Sequence, residues 1–506
     1  MSPFEIALLS FYMALMTALA LVAVHRVVLA RHALGSLRRA LPQAPAEWPH
    51  VLVQVPLYNE RFVANRVIDA VCALEYPRAR LTIQILDDST DGTSSIVGAA
   101  VASWAERGVA IEHMQRGNRE QFKAGALAAG LLRSSAELVA VFDADFAPHP
   151  DMLLRLVPEF QDAKVGMVQA RWGHLNRADS LLTQAEAILL NGHFANEHGG
   201  RFARQCFFNF NGTAGIWRRA AIDDAGGWSG LTLTEDLDLS YRAQLKGWRF
   251  VYREDVEVPG ELPDDVQAFK TQQHRWAKGS IQTAMQLLSR ILQSDLPLRI
   301  KREAVFHLGA NFAYPLVLLL TALMPFAISI RVHTALWAVY TLDALCFVCS
   351  MVSMIAFYMV AECRVGSGWR ALRHVPVVLA LGIGMAVNNT RAVFEALTGQ
   401  QTAFNRTPKA GGRSQRSLCD AGYFVAADWQ ALIELMLGAY MVGAVFAALT
   451  SGRYFAIPFL LLFAYGFLFL ALGSLWNTSF IKRRAGKALT APVLAKRIQR
   501  RPQFGA

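Results

Sequence analysis

The sequence predicts an α/β domain inserted between transmembrane α-helices, which would make the chain a multi-pass membrane protein. Charged and turn-forming residues dominate from about Pro49 to Arg302, where short β-rich runs alternate with helical patterns. Uncharged apolar runs dominate from Ala304 to Ile481. A separate apolar stretch, Ile6–Val24, has 19 residues without a charge and is long enough to cross a bilayer core. We therefore predict an N-terminal anchor with its basic flank, a cytoplasmic domain and a membrane region at residues 1–45, 46–300 and 301–506.

Four apolar runs in the central segment are typical of buried strands, and three helical patterns separate them. The strands are predicted at Val51–Val55, Leu81–Leu86, Val109–His113 and Leu138–Phe142. The helices are predicted near Arg61–Leu74, Thr93–Arg107 and Glu120–Leu132. This alternation predicts a mostly parallel sheet, in which ligands bind outside the carboxyl ends of the strands.

The net charge of +11 favours a membrane surface over nucleic acid as the partner. The basic residues flank the apolar runs, as in the positive-inside pattern of cytoplasmic loops, where anionic headgroups attract them. They are Arg26, Arg31, Arg38, Arg39, Arg299, Lys301, Arg302, Lys482, Arg483, Arg484 and Lys487. We therefore expect a lipid bilayer and no nucleic acid as a partner.

The apolar runs predict five membrane crossings. Val375–Val387 has only 13 apolar residues, and a run of that length more often lies in the membrane plane. If it crossed, the basic loop after it would lie outside and the last pair of spans would have the wrong polarity. We therefore predict an in-plane helix at about 375–395 and a cytoplasmic loop at about 398–428.

Carboxylates follow two of the predicted strands, and a third acidic group opens a helix. They are Asp87-Asp88, Asp143-Ala144-Asp145 and Thr234-Glu235-Asp236. Two carboxylates two residues apart can share one hard cation, which in turn binds diphosphate oxygens. Each group, taken alone, can also be a capped turn or a helix N-cap.

A further motif, Gln272-Gln273-His274-Arg275-Trp276, falls on a predicted helix that starts near Pro263-Asp264. There Gln272, Arg275 and Trp276 share one face. Arg can neutralise phosphate and Trp can stack on a sugar ring. The alternative is a helix packed at the bilayer edge, where both residue types are common.

The order of these motifs resembles the processive family 2 inverting glycosyltransferases, the cellulose synthase-like enzymes that include mannan and glucomannan synthases. The resemblance covers about Val51 to Gly279 and extends to Phe404–Lys409, which looks like the gating-loop motif of that family. The motifs that carry it are Pro56-Leu57-Tyr58-Asn59-Glu60, Asp88, Lys123-Ala124-Gly125, D-x-D, T-E-D, Q-x-x-R-W and F-N-R-T-P-K.

The resemblance implies a glycosyltransferase-A-type α/β fold and a role for each motif. Nucleotide-sugar binding is implied for Tyr58, Glu60, Asp88, Lys123, Asp143, Gln272 and Arg275. Mg²⁺ or Mn²⁺ is implied at Asp145 and Asp143, and catalysis at Asp236 as general base with Glu235 beside it. Acceptor binding is implied for Trp276, Asn211 and Gly212, and closure over the donor for Phe404, Arg406, Thr407 and Lys409.

The implied function is elongation and export of a β-linked cellulose-, glucomannan- or mannan-like polysaccharide from UDP-glucose or GDP-mannose. The Q-Q-H-R-W and R-T-P-K forms look closer to the mannan and glucomannan branch. The alternatives are a glycolipid synthase that adds one sugar to ceramide or diacylglycerol, and a non-catalytic transporter or scaffold. The preference for Arg over Lys and the high Ala content favour a bacterial inner membrane, with any export partner unknown.

Overall fold

The computed structural model describes residues 2–35, 40, 42–332, 337–401, 409, 411 and 429–476. Its central segment folds around a seven-stranded sheet with the strand order β3-β2-β1-β4-β6-β5-β7. The strands are β1 Val51–Leu57, β2 Leu81–Asp87, β3 Ile111–Gln115, β4 Leu138–Val141, β5 Val165–His174, β6 Gly215–Arg218 and β7 Arg249–Gly260.

The sheet is mixed, and its first four strands are parallel. Strand β1 pairs in parallel with both β2 and β4, with Leu57 opposite Asp87 and Gln54 opposite Val141. Because the chain moves outward from β1 to β3 and then returns to the other side of β1, the strand order reverses between β1 and β4. A crevice forms outside the carboxyl ends of the strands at such a point.

The helices of the central domain cover both faces of the sheet and include one π-helical segment, Gly192–His198. The α-helices are α2 Ala64–Cys72, α3 Thr93–Glu106, α4 Phe122–Leu131, α5 Met152–Leu156, α6 Leu181–Asn191, α7 Gly199–Ala203, α8 Arg219–Asp224, α9 Glu235–Leu245 and α10 Val266–Gln293. The four predicted strands and the three predicted helices are confirmed within a few residues at their ends. The last three strands were not predicted.

The core of this domain is apolar because the parallel strands are covered on both sides. Strands β1 and β4 read as continuous buried runs, and Val53 and Ala140 are fully buried. Gln54 and Gln84 are also buried, but the Nε2 of Gln54 donates to the Oε1 of Gln84 at 3.0 Å. The Nε2 of Gln54 also donates to the backbone oxygen of Leu127 at 3.2 Å, so its amide nitrogen is paired, whereas its Oε1 accepts no hydrogen bond from the described residues.

Six helical segments in the described part of the chain are long and apolar enough to cross a membrane. They are Pro3–Leu34, Leu298–Ile330, Thr341–Arg364, Gly368–Leu397, Gln430–Thr450 and Tyr454–Trp476. The helices within them are α1 Pro3–Leu34, α11 Leu298–Gly309, α12 Ala313–Val332, α13 Trp337–Arg364, α14 Val375–Gly384, α15 Ala386–Leu397, α16 Gln430–Thr450 and a final helix, α17, that ends at Trp476. Large side chains such as Leu21, Phe326 and Phe446 are exposed on them, as lipid-facing surfaces require.

The sixth candidate span, Gly368–Leu397, contains the segment predicted to lie in the membrane plane. It is divided into α14 and α15, which meet at Met385. Helix α15 packs against α10, and the Nδ2 of Asn388 donates to the backbone oxygen of Lys270 at 3.0 Å. Thus the described residues contain six candidate spans where the sequence predicts five, and the in-plane orientation of this segment stays a prediction.

Candidate active site

One cleft at the carboxyl edge of the sheet brings together every predicted site residue that the structure describes. Its empty volume, including the open mouth, is about 1310 Å³. The predicted residues that line it are Tyr58, Glu60, Asp88, Lys123, Asp143, Asp145, Asn211, Gly212, Glu235, Asp236, Gln272, Arg275, Trp276 and Lys409. The gating-loop residues Phe404, Arg406 and Thr407 lie outside the described residues.

The first part of the cleft is built at the adjacent ends of β1 and β2. Tyr58 follows β1, and the guanidinium of Arg119 lies 3.3 Å from the centre of its ring. Asp88 follows β2 and makes a bidentate ion pair with Arg116. The Nε of Arg116 donates to Oδ1 of Asp88 at 3.0 Å, and its Nη2 donates to Oδ2. A flat aromatic ring beside a fixed carboxylate suits a nucleoside, which offers a base to stack and polar edges to bind.

Asp87, which precedes Asp88, has a structural role and lies outside the cleft. Its Oδ1 accepts from the backbone of Ser89 at 2.9 Å, and its Oδ2 accepts from Ser94 at 2.6 Å and contacts His113 at 2.9 Å. Burial alone would raise its pKa, but these hydrogen bonds hold the pKa of Asp87 below its ordinary value. It therefore stabilises the turn after β2.

The D-x-D loop after β4 is held by contacts on both sides. The backbone N of Asp143 donates to Thr213 Oγ1 at 2.9 Å, and its Oδ1 accepts from Lys123 Nζ at 2.6 Å. Lys123 also donates to the backbone oxygen of Gly212 at 2.8 Å. Burial alone would lower the pKa of Lys123, but the surrounding carboxylates raise it, Asp143 most strongly. Lys123 is therefore a charged link between the D-x-D loop and the Asn211-Gly212 turn.

The two carboxylates of the D-x-D loop fit a divalent cation. Asp145 Oδ2 already contacts one positive charge, the Nζ of Lys409 at 2.7 Å, so a cation is stabilised at this position. Among the described residues no group of three or more His, Cys, Asp or Glu side chains is arranged to hold a metal. Carboxylate oxygens are the ligands that Mg²⁺ and Mn²⁺ prefer, and Mg²⁺ typically binds through one or two carboxylates plus substrate phosphates. Asp143 and Asp145 are a donor set of that kind.

The T-E-D motif places a half-buried acid in the wall of the cleft. Helix α9 begins at Glu235 with Thr234 at its N-cap, and acidic residues lie in its first turn as the helix-cap alternative expects, but the side chain of Thr234 makes no capping hydrogen bond. Burial raises the pKa of Asp236 to about 7, with Glu235 adding to the rise and Lys123 opposing it. A carboxylate with a pKa near neutrality is suited to general-base catalysis.

Two glycines allow the parts of the site to approach one another. Gly212 has a φ of +79°, and a Cβ there would lie 3.1 Å from Asp236 Oδ2. A Cβ on Gly279 of α10 would lie 2.5 Å from the side chain of Thr234. The close packing of the acceptor turn, the T-E-D motif and α10 thus requires glycine at both positions.

Helix α10 carries the Q-x-x-R-W motif and begins one residue after its cap. Asp265 Oδ1 accepts from the backbone of Gln267 at 2.6 Å, so the helix starts two residues later than predicted. Its Gln272, Arg275 and Trp276 line the cleft together, as predicted from their spacing.

Sequence analysis missed the aromatic wall beside Trp276. The ring of Trp172 on β5 lies 6.4 Å from that of Trp276 and 5.0 Å from that of Phe146. Trp172 and Phe146 both line the cleft but are largely buried, so they support the partly exposed ring of Trp276, on which a sugar can stack. Trp172 was missed because β5 was not predicted, although Trp in an apolar run was a usable signal.

The fold and this site define a glycosyltransferase-type domain joined to apolar helices of membrane-spanning length. Residues 49–279 match the family model described as "Glycosyltransferase like family 2". This segment of the chain therefore belongs to the family 2 glycosyltransferases, as the motifs predicted.

Two plant proteins illustrate the similarity. The chain is 41% identical over 294 residues to the probable glucomannan 4-beta-mannosyltransferase 3 of Oryza sativa subsp. japonica, covering 55% of this chain and 53% of that protein. It is 44% identical over 254 residues to glucomannan 4-beta-mannosyltransferase 2 of Arabidopsis thaliana, covering 49% and 48% respectively. The chain spans about half the length of these relatives.

A solved structure confirms the fold. The mannosyltransferase of Pyrobaculum calidifontis, solved with GDP-mannose and Mn²⁺, superposes with a TM-score of 0.52 at 21% identity. The match covers 77% of this chain and 100% of that one. The predicted glycosyltransferase-A-type α/β domain flanked by membrane-type helices is therefore correct.

Proposed function

We propose that the protein is a membrane-embedded inverting glycosyltransferase that uses GDP-mannose to elongate a β-linked mannan-type polysaccharide. The observation that carries the proposal is one cleft lined by Asp236, by the D-x-D pair and by Trp276. The named activities of the plant relatives and the ligands of the archaeal structure favour mannose and guanosine. UDP-glucose is the competing donor.

Asp236 is the residue that we assign to proton removal. At a pKa of about 7 its carboxylate takes the proton from the acceptor hydroxyl as that oxygen attacks the anomeric carbon. Attack on the side opposite the diphosphate converts an α-linked donor into a β-linked product. Glu235 supports this role because its charge raises the pKa of Asp236.

The leaving diphosphate faces positive charge in this arrangement. Arg275 lies on the cleft wall, where its guanidinium is suited to stabilise the developing negative charge. Asp143 and Asp145 would hold Mg²⁺ or Mn²⁺, which when bound neutralises charge on the diphosphate. Lys409 contacts Asp145 and is placed to contact the same phosphates.

The acceptor sugar would lie against the aromatic wall. Trp276, with Trp172 packed beside it, offers a ring face to the apolar face of a sugar, and Gly212 permits close approach to Asp236. A growing chain would leave the cleft towards the membrane helices, and we propose that they export it. The catalytic domain would then face the cytosol, in keeping with the basic flanks, and a bacterial inner membrane stays a prediction from composition.

The test supplies vesicles that contain the protein with labelled GDP-mannose or UDP-glucose and Mg²⁺ or Mn²⁺. We expect a ladder of water-soluble or insoluble β-linked products from GDP-mannose, and no product from the Asp236→Asn variant. A single labelled sugar in the chloroform phase would favour the glycolipid synthase. No turnover of any nucleotide sugar by the wild-type protein would favour a scaffold and overturn the proposal.

A further inference from the structure

A buried oxygen without a hydrogen-bond partner lies in the wall of the cleft beside the base. Asn211 lines the cleft next to Gly212, and within the described part of the chain its Oδ1 is buried and accepts no hydrogen bond. Leaving such an oxygen unpaired is costly, and buried polar groups in native proteins are nearly always paired. An unpaired oxygen in a ligand cleft therefore marks a place where a ligand donor completes the bond.

Asn211 is held in place through both its backbone and its side chain. Its backbone N donates to Oε1 of the fully buried Gln169 at 3.0 Å, and Gln169 in turn donates to the backbone oxygen of Thr213 at 3.1 Å. The side-chain Nδ2 of Asn211 lies 3.0 Å from Nε2 of His193. The amide can therefore present only one face to the cleft while the contact with His193 is kept.

Glu197 determines which nitrogen of His193 carries the proton. The Nδ1 of His193 lies 2.9 Å from Oε2 of Glu197. Burial alone would raise the pKa of Glu197, but the His193 contact and the charges of Arg26 and Arg201 hold it well below its ordinary value. An ionised carboxylate only accepts hydrogen bonds, so Nδ1 donates to Glu197, and in the tautomer protonated at Nδ1 alone Nε2 accepts the Asn211 N–H.

The His193–Glu197 pair connects the cleft to the membrane region. Both residues lie in the π-helical segment Gly192–His198. Segments of this kind are rare in proteins as a whole, but many of them occur at functional sites. Arg26 of α1 contacts Glu197 at 3.3 Å. A Cβ on Gly192 would lie 2.7 Å from the ring of Phe357 in α13, so the segment packs directly on that helix.

We propose that His193 is a positioning residue which, oriented by Glu197, turns Asn211 so that its Oδ1 accepts a hydrogen bond from a hydroxyl group of the acceptor sugar. The inference rests on the proposed function, because it assigns this wall of the cleft to the acceptor. It adds a determinant of acceptor recognition that does not touch the donor. His193 and Glu197 then affect the acceptor step without changing donor binding.

The test compares His193→Leu with His193→Gln. Both side chains fill much of the space of the imidazole, but only Gln offers an oxygen that can accept the Asn211 N–H. With a short β-linked manno-oligosaccharide as acceptor, His193→Leu should raise the acceptor KM roughly threefold to tenfold, the worth of one hydrogen bond. It should leave the donor KM and the slow hydrolysis of GDP-mannose unchanged, and His193→Gln should restore the acceptor KM.

A double-mutant cycle with Asn211→Ala separates positioning from general damage. If His193 acts through Asn211, His193→Leu should add nothing to the acceptor KM of the Asn211→Ala protein. His50→Leu is the matched control, because His50 is a half-buried histidine that contacts Thr82 Oγ1 at 2.9 Å outside the cleft. It should leave the acceptor KM at the wild-type value.

Three results overturn the inference while leaving the proposed function intact. They are equal acceptor KM values for the Leu and Gln variants, additive effects in the cycle, and parallel losses of donor hydrolysis and transfer. If the His193→Leu protein is not recovered in the membrane, the acceptor KM values of His193→Gln and Asn211→Ala still test the inference. Failure of the wild-type protein to turn over any nucleotide sugar would instead overturn the proposed function.

Discussion

The raised pKa of Asp236 predicts a steep pH dependence of the reaction. A base with a pKa of about 7 is roughly one-tenth ionised at pH 6 and roughly nine-tenths ionised at pH 8. We therefore expect kcat/KM to rise about tenfold between these two pH values and then to level off. The assay is the initial rate of transfer from GDP-mannose in vesicles at subsaturating donor and acceptor, measured across this pH range.

Two variants test whether Asp236 is the group that titrates. Glu235→Gln removes a negative charge that raises the pKa of Asp236, so the midpoint of the profile should move to lower pH. Asp236→Asn should lower the transfer rate by about 10²–10⁴-fold across this pH range, while the variant still binds the donor. A flat wild-type profile, or a midpoint that Glu235→Gln leaves in place, would refute the reasoning.

The same pKa predicts the stability of the Asp236→Asn protein. The folded state raises the pKa from its ordinary value of 3.8 to about 7, so the ionised carboxylate destabilises the fold above the ordinary value. That cost grows as the pH rises from about 4 to about 7, stays constant above about 7, and is absent below about pH 4, where the acid is protonated in both states. Asp236→Asn should therefore have a higher Tm than the wild type at pH 8 and the same Tm near pH 4.

Two further predictions concern the packing of α10. Gly279→Ala should lower kcat strongly, because the added Cβ would lie 2.5 Å from the side chain of Thr234 and displace the T-E-D motif. The assay measures the rate of transfer and the binding of the donor on the same preparation. Lys270→Met or Glu434→Leu alone should destabilise the protein by about 3–5 kcal/mol, because each leaves one buried charge of a 2.7 Å ion pair behind. The double variant should recover most of the Tm in detergent.

Matched controls exist for both predictions. Gly443→Ala in α16 adds a methyl group where nothing lies within 4 Å, so activity and Tm should be unchanged. The surface ion pair of Lys246 and Asp224, at 3.8 Å, should cost less than about 1 kcal/mol when either partner is removed. Equal effects of Gly279→Ala and Gly443→Ala, or a double variant no more stable than the singles, would contradict the packing argument.

The sequence predicted the first half of the domain well because its strands and motifs coincide. Tyr58, Asp88 and Asp143 each follow a continuous buried run, and parallel strands place such positions at one edge. The last three strands were missed because their sequences are not uniform apolar runs: β5 and β7 contain charged side chains, and β6 has only four residues. Trp172, which lies on β5, was lost from the predicted site with them.

The contacts that orient the site were also beyond sequence analysis. Asp87 and Asp88 cannot be told apart from the sequence, because they are neighbours of the same residue type. In the structure the side chain of Asp87 contacts Ser94 and His113, whereas Asp88 lines the cleft. His193 lies more than 15 residues from Asn211 in sequence, and no motif links them. Pairings of this kind depend on side-chain direction and long-range packing, which spacing alone does not determine.

Charges buried against the membrane helices explain how the active-site face of α10 is kept in place. Lys270 pairs with Glu434 of α16, and Lys278 contacts Glu395 of α15 at 3.1 Å and donates to the backbone oxygen of Gln400 at 2.7 Å. Both lysines are almost fully buried, and a buried ammonium group separated from its carboxylate is strongly destabilising. Since the two lysines are eight residues apart, just over two turns, they fix the rotation of the helix about its axis. The Q-x-x-R-W face is thereby directed at the cleft, so the geometry of the proposed active site depends on the candidate membrane helices that pack against α10.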